Sequence, residues 1–285
     1  MSRIKWNETK IEERLKAGYG DGALSSYRPW LEVSDLSSLG RSRRVWSCKT
    51  GRTHHVFSDV EYGIFVAADW SRSVVDIREQ YPLDRDLTKT IEQQLKIRHP
   101  HYPTTRVPTV MTVDFLLTIV SSEGESYVAL NAKRDEEAED EASLNKLEIQ
   151  RRYFEQIEVP HHLIYHSQLP AQKIKNIQWI RDAQLKPDEM EPHPGYYGDL
   201  MRRMGDELSA HPGEAKVSLA AYCSAFDERY GMEPGTGLRV AKMLMQERAL
   251  SVDLASSNLA NAPLQSFLMT SRPGRLRAVG GRGAV

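Results

Sequence analysis

Apolar and polar positions in the first two-thirds of the chain follow periods that predict several strands and a few helices. Residues 58–69 place apolar side chains at helical spacing, and Ser58 or Asp59 is suited to cap the first turn. Helices are predicted in the same way at 5–17 and 143–158. Apolar runs bounded by turn residues predict strands at 43–57 (a pair around the turn KTGR), 74–83, 110–120, 126–136 and 161–167.

The order of these elements (a helix, three strands, a helix and a strand) implies an α/β fold with a mixed sheet flanked by helices. Proline, glycine and acidic residues then concentrate at 184–198, which predicts a boundary there. The rest of the chain reads as three helices and two short apolar runs. This pattern favours a winged-helix-like module whose third helix takes the place of a recognition helix, with an unrelated helical cap as the alternative. The predicted segments are 197–210, 216–230, 234–248, 250–256 and 264–270.

The predicted domains are an α/β domain at 1–185, a mainly helical domain at 186–270 and an arginine- and glycine-rich tail at 271–285. The tail contains four arginines and no acidic residue. Two interpretations stay open for it, solvated disorder or an electrostatic grip on DNA or an acidic partner. An acidic run at 135–142 and an arginine-rich segment at 40–44 are further local patches of charge.

Composition narrows the class of protein. The chain has 285 residues, of which 40% are hydrophobic. Its formal net charge is −1, and this near-neutral total does not by itself indicate a nucleic-acid-binding protein. The two cysteines, Cys48 and Cys223, are far apart and outside any CxxC pattern, which argues against a zinc site or a disulfide framework. The chain starts with a charged helical segment, and its apolar runs are shorter than the about 20 residues that span a bilayer. We therefore expect a cytoplasmic protein without a membrane segment.

Polar residues inside two apolar strands point to a candidate site. Asp114 lies in the middle of one predicted strand, and Asn131 and Lys133 end the next one. A buried carboxylate is costly unless it has a charged partner, so a structural ion pair is the simplest explanation for Asp114. However, Asn131 and Lys133 are two residues apart and point to the same face, beside Asp114 on the neighbouring strand. A further carboxylate, Glu61, lies on the preceding helix.

This combination is suited to metal-assisted hydrolysis of a phosphodiester. Mg²⁺ prefers oxygen ligands, and Glu61, Asp114 and either the Asn131 side chain or the Ala132 carbonyl can supply them. Lys133 is a poor ligand, but it can orient the attacking water or neutralise the phosphate. We expect two Mg²⁺ ions per site, with Mn²⁺ able to substitute. The bare spacing of acid, amide and lysine occurs often by chance, and its placement on strands makes it more specific.

The order of motifs along the chain resembles the TnsA family, the endonuclease subunits of TnsABC-type heteromeric transposases. The resemblance is dense in the first two-thirds of the chain and loose afterwards. The segments that carry it begin with YRPWLEV and end with YFEQIEVP, and they lie at 27–65, 73–83, 112–117, 129–133 and 144–160.

The resemblance implies a restriction-endonuclease-like domain followed by a winged-helix-like domain. Such a protein cuts near the 5′ ends of the transposon, while TnsB, a DDE-type transposase, cuts and joins the 3′ ends, so that together they excise the element. TnsC, an AAA+ regulator, contacts the endonuclease. The family's catalytic Glu, Asp and Lys fall on Glu61, Asp114 and Lys133. The family commonly has Gln where this chain has Asn131, and the shorter side chain favours the Ala132 carbonyl as the ligand.

Several other residues are candidates near this site. Arg78 and Gln80 share one face of their predicted strand, and Glu148 lies on the following helix, so all three are candidates for supporting contacts around the metal, with structural ion pairs or surface charges as the alternative. Candidates for contact with DNA lie before the Glu61 helix, and they are Arg41, Arg43, Arg44, His54 and His55.

Two alternatives to a transposase endonuclease stay open. One is a standalone nuclease of restriction or junction-resolving type, against which the near-neutral charge argues mildly. The other is a non-catalytic scaffold with a nuclease fold, against which the presence of Glu61, Asp114 and Lys133 together argues.

Overall fold

The computed structural model describes residues 4–35, 41–135, 141–186, 188–210 and 216–270. The chain forms two compact units, residues 1–169 and 170–285. The tail at 271–285 and most of the acidic run, residues 136–140, lie outside the described residues, so the predictions made for them stay predictions. Among the described residues, no helix is long and apolar enough to cross a membrane.

The first unit is a mixed α/β structure, as the order of predicted elements indicated. Its described helices are α1 (Glu8–Lys16), α2 (Asp59–Trp70), α3 (Arg85–Leu95) and α4 (Glu141–Gln156). Its described strands are β1 (Arg43–Ser47), β2 (Arg52–Val56), β3 (Val74–Pro82), β4 (Thr112–Ser121), β5 (Gly124–Lys133) and β6 (His161–Tyr165).

The central sheet has the strand order β3-β4-β5-β6. β3, β4 and β5 are successive antiparallel neighbours, whereas β6 runs parallel to β5 because α4 forms the crossover between them. A cluster of buried apolar residues from β4, α3 and α4 stabilises this arrangement; Val113, Ile91, Ile149 and Phe154 are among its fully buried members. Strands β1 and β2 form a separate antiparallel pair around the predicted turn.

Helix α3 was missed in the sequence, where its residues read as a polar segment. It begins after Asp84, whose carboxylate accepts a hydrogen bond from the Leu87 amide at 2.7 Å. Its few apolar residues are spaced on one narrow face, and Thr88 and Ile91 are fully buried on it. The remaining positions are polar, and for this reason the segment was not recognised as a helix. The capping residue Asp84 and the spacing of the apolar residues could have indicated it.

The second unit is mainly helical. Its described elements are α5 (Ala171–Arg181), α6 (Tyr196–Ala210), α7 (Leu219–Tyr230), α8 (Thr236–Gln246), β7 (Leu250–Ser251) and β8 (Leu268–Met269). The three helices predicted here are present, but the expected hairpin is reduced to two strands of two residues each. The winged-helix assignment is therefore not confirmed.

Helix α8, the expected counterpart of a recognition helix, uses its basic side chains within its own unit. Arg239 bonds to Glu189, to the Tyr197 hydroxyl at 2.8 Å and to the Ala183 carbonyl at 3.2 Å. Lys242 lies over the Trp179 ring, 4.2 Å from its centroid. These contacts engage Arg239 and Lys242 within the second unit.

The boundary between the units lies before α5, not at the predicted 185/186. Asn176 of α5 is buried, and its amide donates to the Leu254 and Ser256 carbonyls at 2.8 and 2.7 Å. Because a buried amide needs such partners, α5 belongs with the helices that follow it. This helix was not predicted from the sequence.

Candidate active site

Glu61 is held in place by the N-terminus of its own helix. Ser58 caps α2, and its hydroxyl accepts a hydrogen bond from the Glu61 amide at 3.1 Å. In return, the two Glu61 carboxylate oxygens accept from the Ser58 hydroxyl at 3.0 Å and from the Phe57 amide at 2.9 Å. This reciprocal arrangement resembles a capping box and fixes the carboxylate in a largely buried position.

Asp114 lies on β4 near the point where β4 and β5 separate. The last paired residues are Phe115 and Leu130, and beyond them the Asp114 carboxylate accepts a hydrogen bond from the Ala132 amide at 2.8 Å. The N–H and C=O of one strand residue point to the same side, as the paired bonds of antiparallel ladders require. The Ala132 carbonyl is therefore directed to the same side as Asp114.

Asn131 bridges the two strands rather than projecting freely into the site. Its side-chain oxygen accepts from the Asp114 amide at 3.2 Å, and its NH₂ group donates to Gln150 at 2.6 Å. Gln150 in turn donates to the Thr112 carbonyl at 2.7 Å. These bonds occupy the Asn131 amide, which leaves the Ala132 carbonyl as the better candidate ligand.

Gln80, one of the predicted supporting residues, contacts the carboxylate of Asp114. Its NH₂ group donates to Asp114 at 3.3 Å, and its oxygen accepts from the Thr112 hydroxyl at 3.0 Å. The backbone of Gln80 has φ +46°, a left-handed conformation that is rare for a residue with a side chain. Strained backbone of this kind concentrates at functional sites, where the surrounding structure maintains it.

A single cavity of about 390 Å³ brings the catalytic candidates together. Glu61, Asp114 and Lys133 line it, with the Ala132 backbone beside them. Lys133 is the last residue of β5, and it borders the cavity at the end of this strand. The predicted grouping of these side chains is therefore present in the structure.

Lys146 also lines this cavity, and sequence reasoning did not place it there. Burial lowers the pKa of its amine, while the charges of Asp114 and Glu61 act in the opposite direction. Lys146 precedes the buried residues Ile149 and Gln150 by three and four positions on α4, which is the spacing of one helix face. That spacing was a usable signal, but the choice between Lys146 and Glu148 depends on how α4 is rotated against the sheet.

The two carboxylates of the cavity destabilise each other's ionised form. Burial is the main cause that raises the pKa of Glu61 to about 8, and the Asp114 charge adds to it. Burial likewise raises the pKa of Asp114, although Lys146 and Lys133 partly oppose this. Two buried carboxylates that share one cavity favour binding of a proton or a cation between them.

Two predicted supporting residues lie elsewhere. The guanidinium of Arg78 contacts Asp76 at 3.5 Å and the Thr118 hydroxyl at 3.1 Å, away from the residues that line the cavity. Glu148 is on the outer surface of α4, where it forms ion pairs with Arg151 and Arg152. The alternatives left open in the sequence therefore describe them: Arg78 forms a structural ion pair, and Glu148 is a surface charge.

His54 is not available to DNA, contrary to the prediction. Its side chain is fully buried, with one ring nitrogen 2.8 Å from Glu79 and the other 2.7 Å from the Thr50 hydroxyl. Arg52 forms a two-pronged ion pair with the same carboxylate, at 2.8 and 2.5 Å. Although burial alone would raise the pKa of Glu79, His54 and Arg52 hold it well below its usual range.

The other predicted DNA contacts have mixed placements. His55 is half-buried and accepts a hydrogen bond from the Val33 amide at 3.0 Å, and burial lowers the pKa of its ring. Arg43 pairs with Asp59 at 2.5 Å and lies over a tyrosine ring of α2. Arg41 and Arg44 are exposed, so contact with DNA stays a prediction for them.

A mixed sheet that brings two buried carboxylates and two lysines into one cavity defines the chemical class, an enzyme site suited to phosphodiester cleavage. Comparison with known families agrees with this class. Residues 71–166 match the model of the TnsA-like endonuclease N-terminal domain, and residues 168–254 match that of the TnsA endonuclease C-terminal domain. The chain belongs to the TnsA family of endonucleases.

A curated relative extends the similarity towards both ends of the chain. The chain is 31% identical over 258 residues to the Transposon Tn7 transposition protein TnsA of Escherichia coli, and the alignment covers 90% of each sequence. Asp114 and Lys133 lie within the first family match, whereas Glu61 precedes it.

Proposed function

We propose that this protein is the Mg²⁺-dependent endonuclease of a transposase complex, which cuts near the 5′ ends of a transposon. The observation that carries this proposal is the shared cavity of Glu61, Asp114 and Lys133, with the Ala132 carbonyl directed to the same side. Family membership and the similarity to a Tn7 transposition protein support it independently.

The donor atoms of the cavity fit a hard divalent cation. Glu61 and Asp114 supply carboxylate oxygens and Ala132 supplies a main-chain carbonyl, the ligand types that Mg²⁺ and Mn²⁺ prefer. The raised pKa of both carboxylates adds a physical reason, since a cation would relieve their repulsion. One or two bound ions would polarise the phosphate and lower the pKa of a bound water.

The side chains around the carboxylates have distinct tasks in this mechanism. Lys133 orients the attacking water or neutralises the phosphate as negative charge develops on it. Gln80 and the Ala132 amide hold the Asp114 carboxylate in one orientation through their hydrogen bonds. Asn131 and Gln150 hold β4 and β5 at a fixed separation, so that Asp114 and the Ala132 backbone keep their relative positions.

We assign the substrate as transposon-end DNA and the partners as the TnsB transposase and the TnsC regulator, because the chain belongs to the TnsA family. TnsB would cut the 3′ ends, so that the two cuts together excise the element. Within this proposal the second unit serves mainly as a partner-binding module, because Arg239 and Lys242 of α8 are engaged inside it. A winged-helix architecture for this unit belongs to the proposal as well.

The test compares Asp114→Asn with Glu125→Gln, a control on the exposed, distant end of β5. Strand-specific cleavage of transposon-end DNA is measured with the partner transposase in Mg²⁺ and in EDTA, and binding of Mn²⁺ to the chain alone is measured by paramagnetic resonance. Asp114→Asn should lose 5′ cleavage and weaken Mn²⁺ binding, while 3′ joining continues and yields replicative cointegrates.

The control should behave as the wild type in each assay. Full 5′ cleavage by Asp114→Asn would remove this residue from the site, and cleavage in EDTA would exclude the metal. Efficient cutting of transposon ends without the transposase would favour the standalone nuclease instead.

A further inference from the structure

A second cavity of the first unit, about 830 Å³, lies between the segment at 98–106 and the start of α4. We call it the loop–α4 groove. One wall contains Arg98, Tyr102 and Arg106, and the other contains Asn145 and Lys146. No role for this groove follows from the catalytic residues alone.

The loop that forms one wall is rigidly built. The Tyr102 amide donates to the Val107 carbonyl, and the Arg106 amide donates to the Tyr102 carbonyl, both at 2.9 Å. The Tyr102 ring stacks on Trp6 of the buried core, with 5.0 Å between ring centroids. Arg106 is held with φ +57° by these contacts, a conformation that costs energy for arginine and is maintained by the surrounding loop.

The described residues that line the groove carry an excess of positive charge. Arg98 and Arg106 are exposed, and within the described parts of the chain neither guanidinium has an ion-pair partner. Lys146 adds a third cation, whereas Glu141 is the one acidic side chain among the described residues that line the groove. Guanidinium groups without partners are suited to phosphate oxygens, which they bind through two parallel hydrogen bonds.

Lys146 connects the groove to the catalytic cavity, because it lines both. A strand whose phosphate is cut beside Asp114 must continue out of that cavity on at least one side. The groove offers such a path, with Arg98, Arg106 and Lys146 as cations for the phosphates. Because the groove continues from the cavity in which the phosphate is cut, the cleaved DNA strand is a better fit for it than a protein segment.

We infer that the loop–α4 groove binds the phosphodiester backbone of the strand that is cut, and that Lys146 contacts a phosphate where the strand passes from the catalytic cavity into the groove. The inference rests on the proposed function, since it requires that DNA is cleaved in the adjacent cavity. The groove holds backbone phosphates and reads no bases, so it supplies affinity without sequence preference.

The experiment uses the full chain with its partner transposase on transposon-end DNA in Mg²⁺. Single-turnover 5′ cleavage is followed as a function of protein concentration and of salt. The test variant is Arg98→Gln/Arg106→Gln, and the matched control is Arg151→Gln/Arg152→Gln, which removes the same charge from exposed positions of α4 outside the groove.

The groove variant should need on the order of tenfold more protein for half-maximal cleavage, with an unchanged maximum rate. The dependence of log affinity on log salt should become shallower by about 1.4 to 1.8, because two phosphate contacts contribute about 0.7 to 0.9 each. The control should stay within about twofold of the wild type, because exposed ion pairs contribute little. Thermal melts test whether both variants fold. If the groove variant does not fold, Arg98→Gln alone takes its place.

Any other outcome contradicts the inference, and the kind of result shows why. A groove variant that matches the control would show that DNA does not use this path. A lower maximum rate at unchanged half-saturation would assign the arginines to catalysis, and loss of partner co-purification with DNA binding intact would assign the groove to a protein. Failure of the wild type to cut 5′ ends would instead reject the proposed function itself, together with the inference built on it.

Discussion

Glu79 and the pair Glu61 and Asp114 are carboxylates of the first unit whose surroundings differ in kind. Glu79 is fully enclosed and receives hydrogen bonds from Arg52, His54 and the His55 amide. Glu61 and Asp114 share an open cavity, where each raises the cost of ionising the other. Burial is the largest single influence on the pKa of both Glu79 and Glu61, yet the pKa of Glu79 is lowered and that of Glu61 is raised.

The difference teaches how a structural carboxylate can be separated from a functional one. A carboxylate whose partners balance its charge stabilises the fold and has no capacity left for a ligand. Carboxylates that burial and a neighbouring carboxylate hold at a raised pKa favour the arrival of a cation or a proton. In the sequence, Glu79 and Asp114 both appear as acids within apolar strands, and the surroundings alone distinguish them.

The largest expected effect is the loss of catalysis in Lys133→Ala. If Lys133 orients the attacking water, the cleavage rate should fall by a factor on the order of 10²–10⁴, with DNA binding nearly unchanged. Single-turnover cleavage and DNA binding are measured in parallel. The melting temperature of the metal-free protein should change little, because the site does not depend on this lysine for folding.

The opposite result would assign Lys133 to the structural class. A core ion pair broken on one side costs about 3–5 kcal/mol, because a buried charge loses its partner. A strongly destabilised Lys133→Ala protein whose folded fraction still cuts 5′ ends would therefore contradict the catalytic assignment.

Glu79→Gln tests the structural side of the comparison. The substitution leaves the buried Arg52 without its anionic partner, so the free energy of unfolding should fall by about 3–5 kcal/mol. Urea denaturation measures the free energy of unfolding, with Glu148→Gln as the control. The control should lose little stability, because an exposed ion pair contributes at most about 1 kcal/mol. Equal stability of Glu79→Gln and the control would show that this buried cluster is dispensable.

A smaller effect, with opposite signs at the two sites, is expected from pH. The pKa of Glu61 rises from 4.5 to about 8 on folding, so its stabilising contribution is fully present below pH 4.5 and is lost as pH rises towards 8. The pKa of Glu79 is lowered on folding, so its contribution to the stability of the folded state is present above the pKa that it has in the unfolded chain. This contribution is lost as the pH falls from there through the lowered pKa of the folded state.

Melting temperatures of the metal-free protein between pH 5 and 8 test the Glu61 side. Glu61→Gln should remove part of the decline in stability that the wild type shows as pH rises, and saturating Mg²⁺ should do the same for the wild type. Identical pH profiles for the wild type and Glu61→Gln, both without metal, would refute the mutual repulsion inferred for the two carboxylates.

Most elements of the first unit could be predicted because their signals are local. Alternating or continuous apolar runs predicted β3 to β6, and the side chain of Ser58 indicated where α2 begins. Helix α3 was missed because it has few apolar residues, and α5 of the second unit was missed although Ile174, Ile177 and Ile180 are buried on it. The buried faces of both helices include polar residues, Thr88 and Asn176. The partners of Asn176, the Leu254 and Ser256 carbonyls, lie far away in sequence, so no local pattern reveals its burial.

The sequence by itself determined the class of the fold, the family resemblance and the choice of Glu61, Asp114 and Lys133, because strand alternation and residue type are properties of short segments. The tertiary structure alone decided that Lys146, rather than Glu148, lines the cavity, because that choice depends on the rotation of α4 against the sheet. It also decided that His54 belongs to the core beside Glu79, since a histidine is exposed or buried according to the strand that packs against it.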